Sequence, residues 1–523
     1  MLTHIHGAKC IGIDAVQVTV EIDIDRGIGI HLVGLADVAV KESLLRTTTA
    51  LEALGFRIPG KRIVINLAPA DLRKNGSGYD LPIAVGIIAA SEQRELPRAG
   101  RFILMGELGL DGSVRPIPGA LPFAEMACQA GYEGIILPAE SALEAVEFKD
   151  LQVYGVEGLG EVVRILEGQE DCQDLLIWNT QRYRRAHRAR MGARKEEAGV
   201  DFADIIGQEG AKRGVEIAAA GGHNIIMVGA PGAGKSSLAK AMAGILPPMT
   251  MAEALVTSKI YSVAGKGSPQ DGLIRRRPFR APHYSASLAA IVGGGGGENI
   301  LPGEVSLAHG GVLFLDEVGQ MPKSVIEALR GPIEDRTVCI SRLKAKVEFP
   351  ASFMLVAASN PCPCGYYGEG DRCTCTPSQR QNYLSKLSGP IMDRIDLHVW
   401  MHPVPADRIV RAEKAESSEA VAARVLRARI AQKHRFAPGP TVTNAEMDAR
   451  QIERFCPLSE ACRTTLEGLM TKLGLSMRAY FRIIKVARTI ADLDGAPDIL
   501  PAHLLEAASY RFLDRRNLYD MIK

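Results

Sequence analysis

Gly229-Ala230-Pro231-Gly232-Ala233-Gly234-Lys235-Ser236 decides the reading of this chain. It fits the pattern G-x-x-x-x-G-K-[ST], the phosphate loop. The apolar run Asn224-Ile225-Ile226-Met227-Val228 before it predicts a buried strand, and Ser237 to Ala243 after it predicts a helix. Glycines let backbone N–H groups crowd phosphate oxygens at a helix N-terminus, where the helix dipole favours negative charge. Lys235 is placed to neutralise the β- and γ-phosphates. Ser236 is placed to hold Mg²⁺, and Ser237 opens the helix beside it. The class is α/β, built on a strand, loop and helix that take ATP or GTP.

Working outward, Val312-Leu313-Phe314-Leu315 predicts a second buried strand that delivers Asp316 and Glu317 at its end. Asp316 would steer Mg²⁺, and Glu317 would orient or activate the attacking water. A third run, Phe353 to Ser359, ends in Asn360, an amide in position to sense the γ-phosphate. Further on, Arg394 stands between Asp393 and Asp396. It reads either as an ordinary ion pair or as an arginine finger for a neighbouring subunit's nucleotide, which contributes roughly 10³–10⁵ in rate where it acts.

The chain has 523 residues, too many for one core, and predicts about three domains. Its net charge of +2 excludes a polycation, so any nucleic-acid contact must be local. No apolar run reaches a membrane span, and Leu81 to Ala90 reads as a core helix. The N-terminus lacks a secretion pattern. A cytosolic protein with reduced cysteines is expected. We divide it into residues 1–165, an α+β unit; 166–200, a basic linker carrying Arg182, Arg184, Arg185 and Arg188; 201–405, the nucleotide core; and 406–523, a helical lid. The linker reads as solvated, with a strap on a nucleic-acid backbone as the alternative. Gly293 to Gly297 reads as a mobile loop.

Two clusters add chemistry. Cys362, Cys364, Cys373 and Cys375 form C-x-C-x₈-C-x-C directly after Asn360. Four thiolates suit tetrahedral Zn²⁺, which points to a structural zinc loop. Between Arg336 and Phe349, Arg342, Lys344 and Lys346 alternate with Leu343, Ala345 and Val347. That period of two predicts a hairpin strand with a basic face for DNA phosphates, or a charged edge strand that resists aggregation. Arg275-Arg276-Arg277 and Arg280 are a second basic candidate.

Taken in order, Asp-Ile-Ile-Gly-Gln (204–208), the phosphate loop, Leu-Phe-Leu-Asp-Glu, Ser-Asn-Pro and Met-Asp-Arg resemble the AAA+ ATPases of the magnesium-chelatase-like branch. Arg277-Pro278-Phe279-Arg280-Ala281-Pro282-His283-Tyr284-Ser285-Ala286-Ser287, Pro302 to Glu317 and Asn-Pro-Cys-Pro-Cys-Gly are similar to the YifB/ComM competence-protein family. The resemblance implies a six-membered, ATP-driven ring acting on DNA, with branch migration in natural transformation as its role. It also implies a second sensor, Arg478, from Ser476-Met477-Arg478, and leaves open whether Arg478 serves its own or a neighbour's nucleotide. The chain departs from the family at Tyr284, where a second histidine is usual, and at Gly319-Gln320, where an acidic residue is usual.

The segments Asp71 to Ala90 and Gly106 to Gly112 resemble the proteolytic domain of Lon. Gly78 fills the nucleophile's place, with Ser77 one position off, and Leu121 fills the base's place. Without a base a serine hydroxyl is a poor nucleophile, so a non-peptidase scaffold is expected. The rivals are a chelatase-type motor that remodels a protein partner, an ATP-dependent protease, and a nucleotide-gated assembly factor.

Overall fold

Val18, Val20 and Ile22 are fully buried along one strand while Gln17 between them and the turn stays exposed, and the first sheet grows on that alternation. The computed structural model describes residues 2–35, 37–193, 199–267, 272–295, 300–342, 345–369, 372–387, 391–404, 415–437, 439 and 441–514. The first unit holds β1 (Thr3–Ile11), β2 (Asp14–Asp25), β3 (Gly29–Val33), β4 (Arg62–Ala68), β5 (Phe102–Leu104), β6 (Gly134–Pro138) and β7 (Gln152–Val156). They form one mixed sheet in the order β3-β4-β2-β1-β5-β6-β7. Helices α2 (Asp80–Ala90) and α3 (Ala120–Gln129) pack on it, and α1 (Val38–Ala53) packs on α2. The stretch expected as a core helix is α2, buried along nearly its whole length.

The basic segment after this unit keeps Arg184, Arg185 and Arg188 exposed, as a solvated stretch does, but it is regular. Gln181–Ala193 is a helix, α4; Ala186 and Tyr183 pack against the first core, and Arg182 pairs with Glu140 and Glu157. One apolar position per turn was enough to seat an otherwise charged helix. Residues 194–198 lie outside the described residues, as does the expected boundary near 405.

In the nucleotide core, α5 (Glu209–Gly221) precedes β8 (Ile225–Gly229), and α6 (Lys235–Ile245) follows the phosphate loop. Next come α7 (Met251–Val263), β9 (Phe279–Arg280), β10 (Val312–Leu315), the hairpin β11 (Thr337–Arg342) and β12 (Ala345–Pro350), β13 (Met354–Ser359), α8 (Pro377–Leu387) and β14 (Leu397–Met401). The parallel sheet runs β9-β10-β13-β8-β14. Its three central strands are buried at every position and almost wholly apolar, as a sheet covered on both faces demands. Part of the glycine run is ordered differently from expectation. Gly293 and Gly294 pair with Pro302 and Leu301, while Gly296 and Gly297 lie outside the described residues.

The lid contains α9 (Ser418–Phe436), α10 (Ala449–Phe455), α11 (Glu460–Leu473), α12 (Met477–Leu493) and α13 (Pro501–Ser509). Ser417, Ser459 and Ser476 cap three of them by accepting N–H bonds in the first turn. A buried polar network ties lid to core. His223 bonds Asp396 at 3.2 Å and Thr489 at 2.8 Å, and Asn444 donates to Thr489 at 3.0 Å and Asp492 at 2.8 Å. The first unit is tied through α7. Lys259 pairs with Asp14 at 2.5 Å and Glu125 at 2.6 Å, and Ser262 accepts the Leu121 N–H at 3.3 Å while donating to Glu144.

Candidate nucleotide site

Parallel strands all point their C-terminal ends the same way, so polar residues that follow them meet at one edge of the sheet. β8 ends in the phosphate loop, β10 in Asp316 and Glu317, and β13 in Asn360. The register sets β13 beside β8 and β10 beside β13. Lys235, Ser236, Asp316, Glu317 and Asn360, far apart in the chain, therefore share one edge. Lys235 Nζ donates to Asn360 Oδ1 at 3.2 Å, and to the carbonyls of Gly229 at 2.7 Å and Ala230 at 2.9 Å. Ser236 Oγ donates to Asp316 Oδ2 at 2.8 Å.

The residues fit a magnesium–nucleotide complex. Gly232 and Gly234 take φ of +81° and +90°, left-handed values that turn successive N–H groups inward, and a Cβ added at Gly232 would meet nothing within 4 Å. The loop opens the eleven-residue helix α6, so the donors converge at a helix N-terminus. Two oxygens held about 2.1 Å from one magnesium at right angles lie about 3 Å apart, close to the observed spacing of Ser236 and Asp316. Burial lowers the Lys235 pKa from its ordinary value, and Asp316 and Glu317 act to hold it up. Glu317 adopts φ of +49°, a left-handed backbone uncommon outside glycine, and its N–H bonds Asp316 Oδ1 at 2.9 Å.

Arg394 and Arg478 do not join this group. β14 runs parallel to β8 with Leu397 opposite Ile225 and Met401 opposite Gly229. Arg394 precedes β14, so it lies beyond the opposite edge of the sheet, at least a strand length of about 13 Å from the phosphate loop. Its side chain is buried and paired with Glu334, whereas Arg478 is exposed and bonds Asp393 at 2.6 Å. The expected Arg394 pair with Asp393 or Asp396 is thus replaced by one with Glu334, and Arg478 joins Arg394's neighbour Asp393 instead of the phosphate loop.

The cysteines do converge. The four Sγ atoms of Cys362, Cys364, Cys373 and Cys375 all lie within 4.8 Å of one another, with separations such as 3.3, 3.7 and 3.8 Å. Four sulfurs about 2.3 Å from one zinc lie about 3.8 Å apart, so the set fits tetrahedral Zn²⁺. The Cys364 N–H points at Cys375 Sγ at 3.4 Å, the kind of donor that steadies a bound thiolate.

The basic hairpin forms, but not as one face. Arg342 pairs with Ala345 and Ser341 with Lys346, so the chain reverses inside the basic run. Counting by two holds only along a continuous strand, and this register sets Arg342 and Lys346 at positions on opposite faces of the hairpin. Lys346 is exposed; Lys344 lies outside the described residues. The second basic candidate is largely spent internally. Arg277 binds the carbonyls of Pro247 and Gly310, and Arg280 grips Glu304 at 2.6 and 2.8 Å.

A cleft of about 1100 Å³ lies between the first unit and the hairpin, lined among others by Cys10, Ser77, Tyr79, Glu107, Lys346 and Val347. Ser77 donates to Glu107, and Leu121 is buried under Ser262. Two site neighbours escaped sequence reasoning. Gln208 donates to Ala233 O at 3.2 Å, yet its short motif carried no role for it. Tyr383 reaches Ser359 Oγ at 3.5 Å, and a Cβ on Gly319 would sit 3.0 Å from its ring. Nothing local in the sequence marks Tyr383; its ring occupies the space where an acidic side chain at 319 would go.

Fold and site together define a magnesium-chelatase-like AAA+ protein: a phosphate-loop core with a helical lid, preceded by a Lon-like domain. Three family profiles cover it in turn, subunit ChlI of Mg-chelatase at 20–141, magnesium chelatase subunit ChlI at 201–409, and the ChlI C-terminal region at 415–511. The chain is 42% identical over 517 residues to the protein YifB of Salmonella typhimurium, and 41% identical over 516 residues to the competence protein ComM of Haemophilus influenzae, covering 98% of both chains each time. Lon protease 1 of Thermus thermophilus is 36% identical over 98 residues, 18% of this chain and 12% of that protein. The chain belongs to the YifB/ComM family.

Proposed function

We propose that this protein is a cytoplasmic, Mg²⁺- and ATP-dependent hexameric ring motor that moves branched DNA, serving branch migration of recombination intermediates during natural transformation. One observation carries the ring: the phosphate-binding groups sit at one edge of the sheet and Arg394 and Arg478 beyond the other. A pocket of that design is completed by a second copy. Lys235, Ser236, Asp316, Glu317 and Asn360 serve from one subunit, while Arg394 and Arg478 serve from the next. Arg394 must exchange Glu334 for phosphate to do so, which makes hydrolysis depend on assembly.

In this reading bound nucleotide supplies the γ-phosphate and Mg²⁺ offsets its charge, held by Ser236 and Asp316. Lys235 leaves its loop carbonyls for phosphate oxygens. Glu317 orients water and takes its proton, and Asn360 fixes the far side. The cysteine set holds structural Zn²⁺. DNA is the substrate by kinship with the competence protein and by the basic hairpin, whose contacts would be with phosphates and so independent of sequence. A motor remodelling a protein partner is the second reading, favoured by the chelatase profiles along the chain. ATP turnover with and without forked DNA, repeated for Glu317→Gln, separates them. Stimulation by DNA with displacement of a labelled strand supports the motor; turnover indifferent to DNA overturns it.

A further inference from the structure

We infer that the four-cysteine cluster is a positioning element of the nucleotide site: its metal holds the phosphate loop in shape. The inference rests on reading the cluster as a zinc site. The cysteine loop leaves β13 directly after Asn360, whose amide oxygen already holds Lys235. Five residues after Asn360, Gly365 lies against Pro231 of the phosphate loop. A Cβ there would fall 2.8 and 2.9 Å from the Pro231 ring, and Gly365 takes φ of +87°. No side chain fits, so the two loops are in direct backbone-to-ring contact.

The second half of the loop leads into α8, which packs on the turn Val318–Gln320 that follows Glu317. There Tyr383 lies over Gly319 and near Ser359. One cluster therefore ties two supports, one under Pro231 and one beside the Glu317 turn. Its sulfurs join residues 362–364 to 373–375, and among the described residues of this loop no regular strand or helix does that work. With zinc bound, Gly365 buttresses Pro231. With four free thiols, the loop loses its cross-link and the buttress.

The test uses the full-length chain, with zinc counted by elemental analysis and nucleotide affinity read with a fluorescent mant-ATP and Mg²⁺. Zinc is stripped with an organomercurial and a chelator, the thiols are regenerated with a reductant, and Zn²⁺ is then returned. The expected result is one zinc per chain, at least tenfold weaker mant-ATP binding after stripping, and recovery on return. Gly365→Ala should likewise weaken binding at least tenfold while keeping its zinc. One zinc per chain with affinity unchanged within twofold on stripping overturns the coupling and leaves the zinc reading standing. Absence of zinc from the freshly purified protein overturns both. The wild-type arm decides the matter should the glycine variant fail to fold.

Discussion

At the residue scale, Lys235 and Glu317 divide binding from chemistry. Lys235 is buried among carbonyls with burial acting against its charge, a cation waiting for an anion. Lys235→Ala is expected to abolish saturable ATP binding in a filter or fluorescence assay. Glu317→Gln keeps the shape but removes the proton acceptor, so binding should persist while turnover falls by roughly 10²–10⁴. If that variant turns over ATP at the wild-type rate, another group is the base. Most of these residues were legible beforehand because each follows an apolar run that could only be a strand. Tyr383 and Gln208 were not, since their partners Gly319, Ser359 and Ala233 are brought close only by the sheet order.

At the scale of elements, the hairpin shows how far a periodic pattern reaches. The strand after the tip was readable, as buried Phe349 and half-buried Val347 show. The turn was not, because nothing in Arg-Leu-Lys-Ala marks a reversal; neither Gly nor Asn stands there. Charge reversal at Arg342, Lys344 and Lys346 together is expected to abolish stimulation of turnover by DNA while leaving ATP binding intact. Stimulation that survives in this triple variant would remove the hairpin from the DNA path. The helix α7 makes a comparable point. Its Lys259 pairs with Glu125 and its Ser262 accepts the Leu121 N–H, so contacts far apart in the chain make α7 a joint to the first unit.

At the scale of the whole molecule, the opposed edges of the sheet predict a complementation test. Mixing Arg394→Ala with Glu317→Gln chains should restore turnover that neither shows alone, because one supplies the base and its neighbour the arginine. No recovery in mixed assemblies would argue that both groups serve the same subunit. Acid stability follows from two buried histidines. His398 lies well below its ordinary value through burial, with Arg511 and Arg482 adding repulsion, and His309 is lowered to about 4 by burial. The unfolded chain, with histidines near 6.5, then binds more protons than the native one as pH falls below that value. Stability contributed by these neutral rings is full above about 6.5 and drains as pH falls below it, toward about 4 for His309. Thermal melting temperatures should hold between pH 8 and about 6.5 and fall from there to pH 5, and His398→Gln should flatten the slope.

The local chemistry was written in the chain: a loop that only glycines can bend, apolar strands too continuous to be anything but buried, and four cysteines too close to be scattered. Those signals are short-range, because backbone freedom, periodicity and ligand spacing act over a few residues. Tertiary structure alone decided the long-range facts. It set Arg394 and Arg478 at the edge away from the phosphate loop, turned the basic run within itself, and pressed Gly365 onto Pro231. Each depends on strand order and packing between distant segments, and no pattern along a single strand encodes which neighbours it will meet.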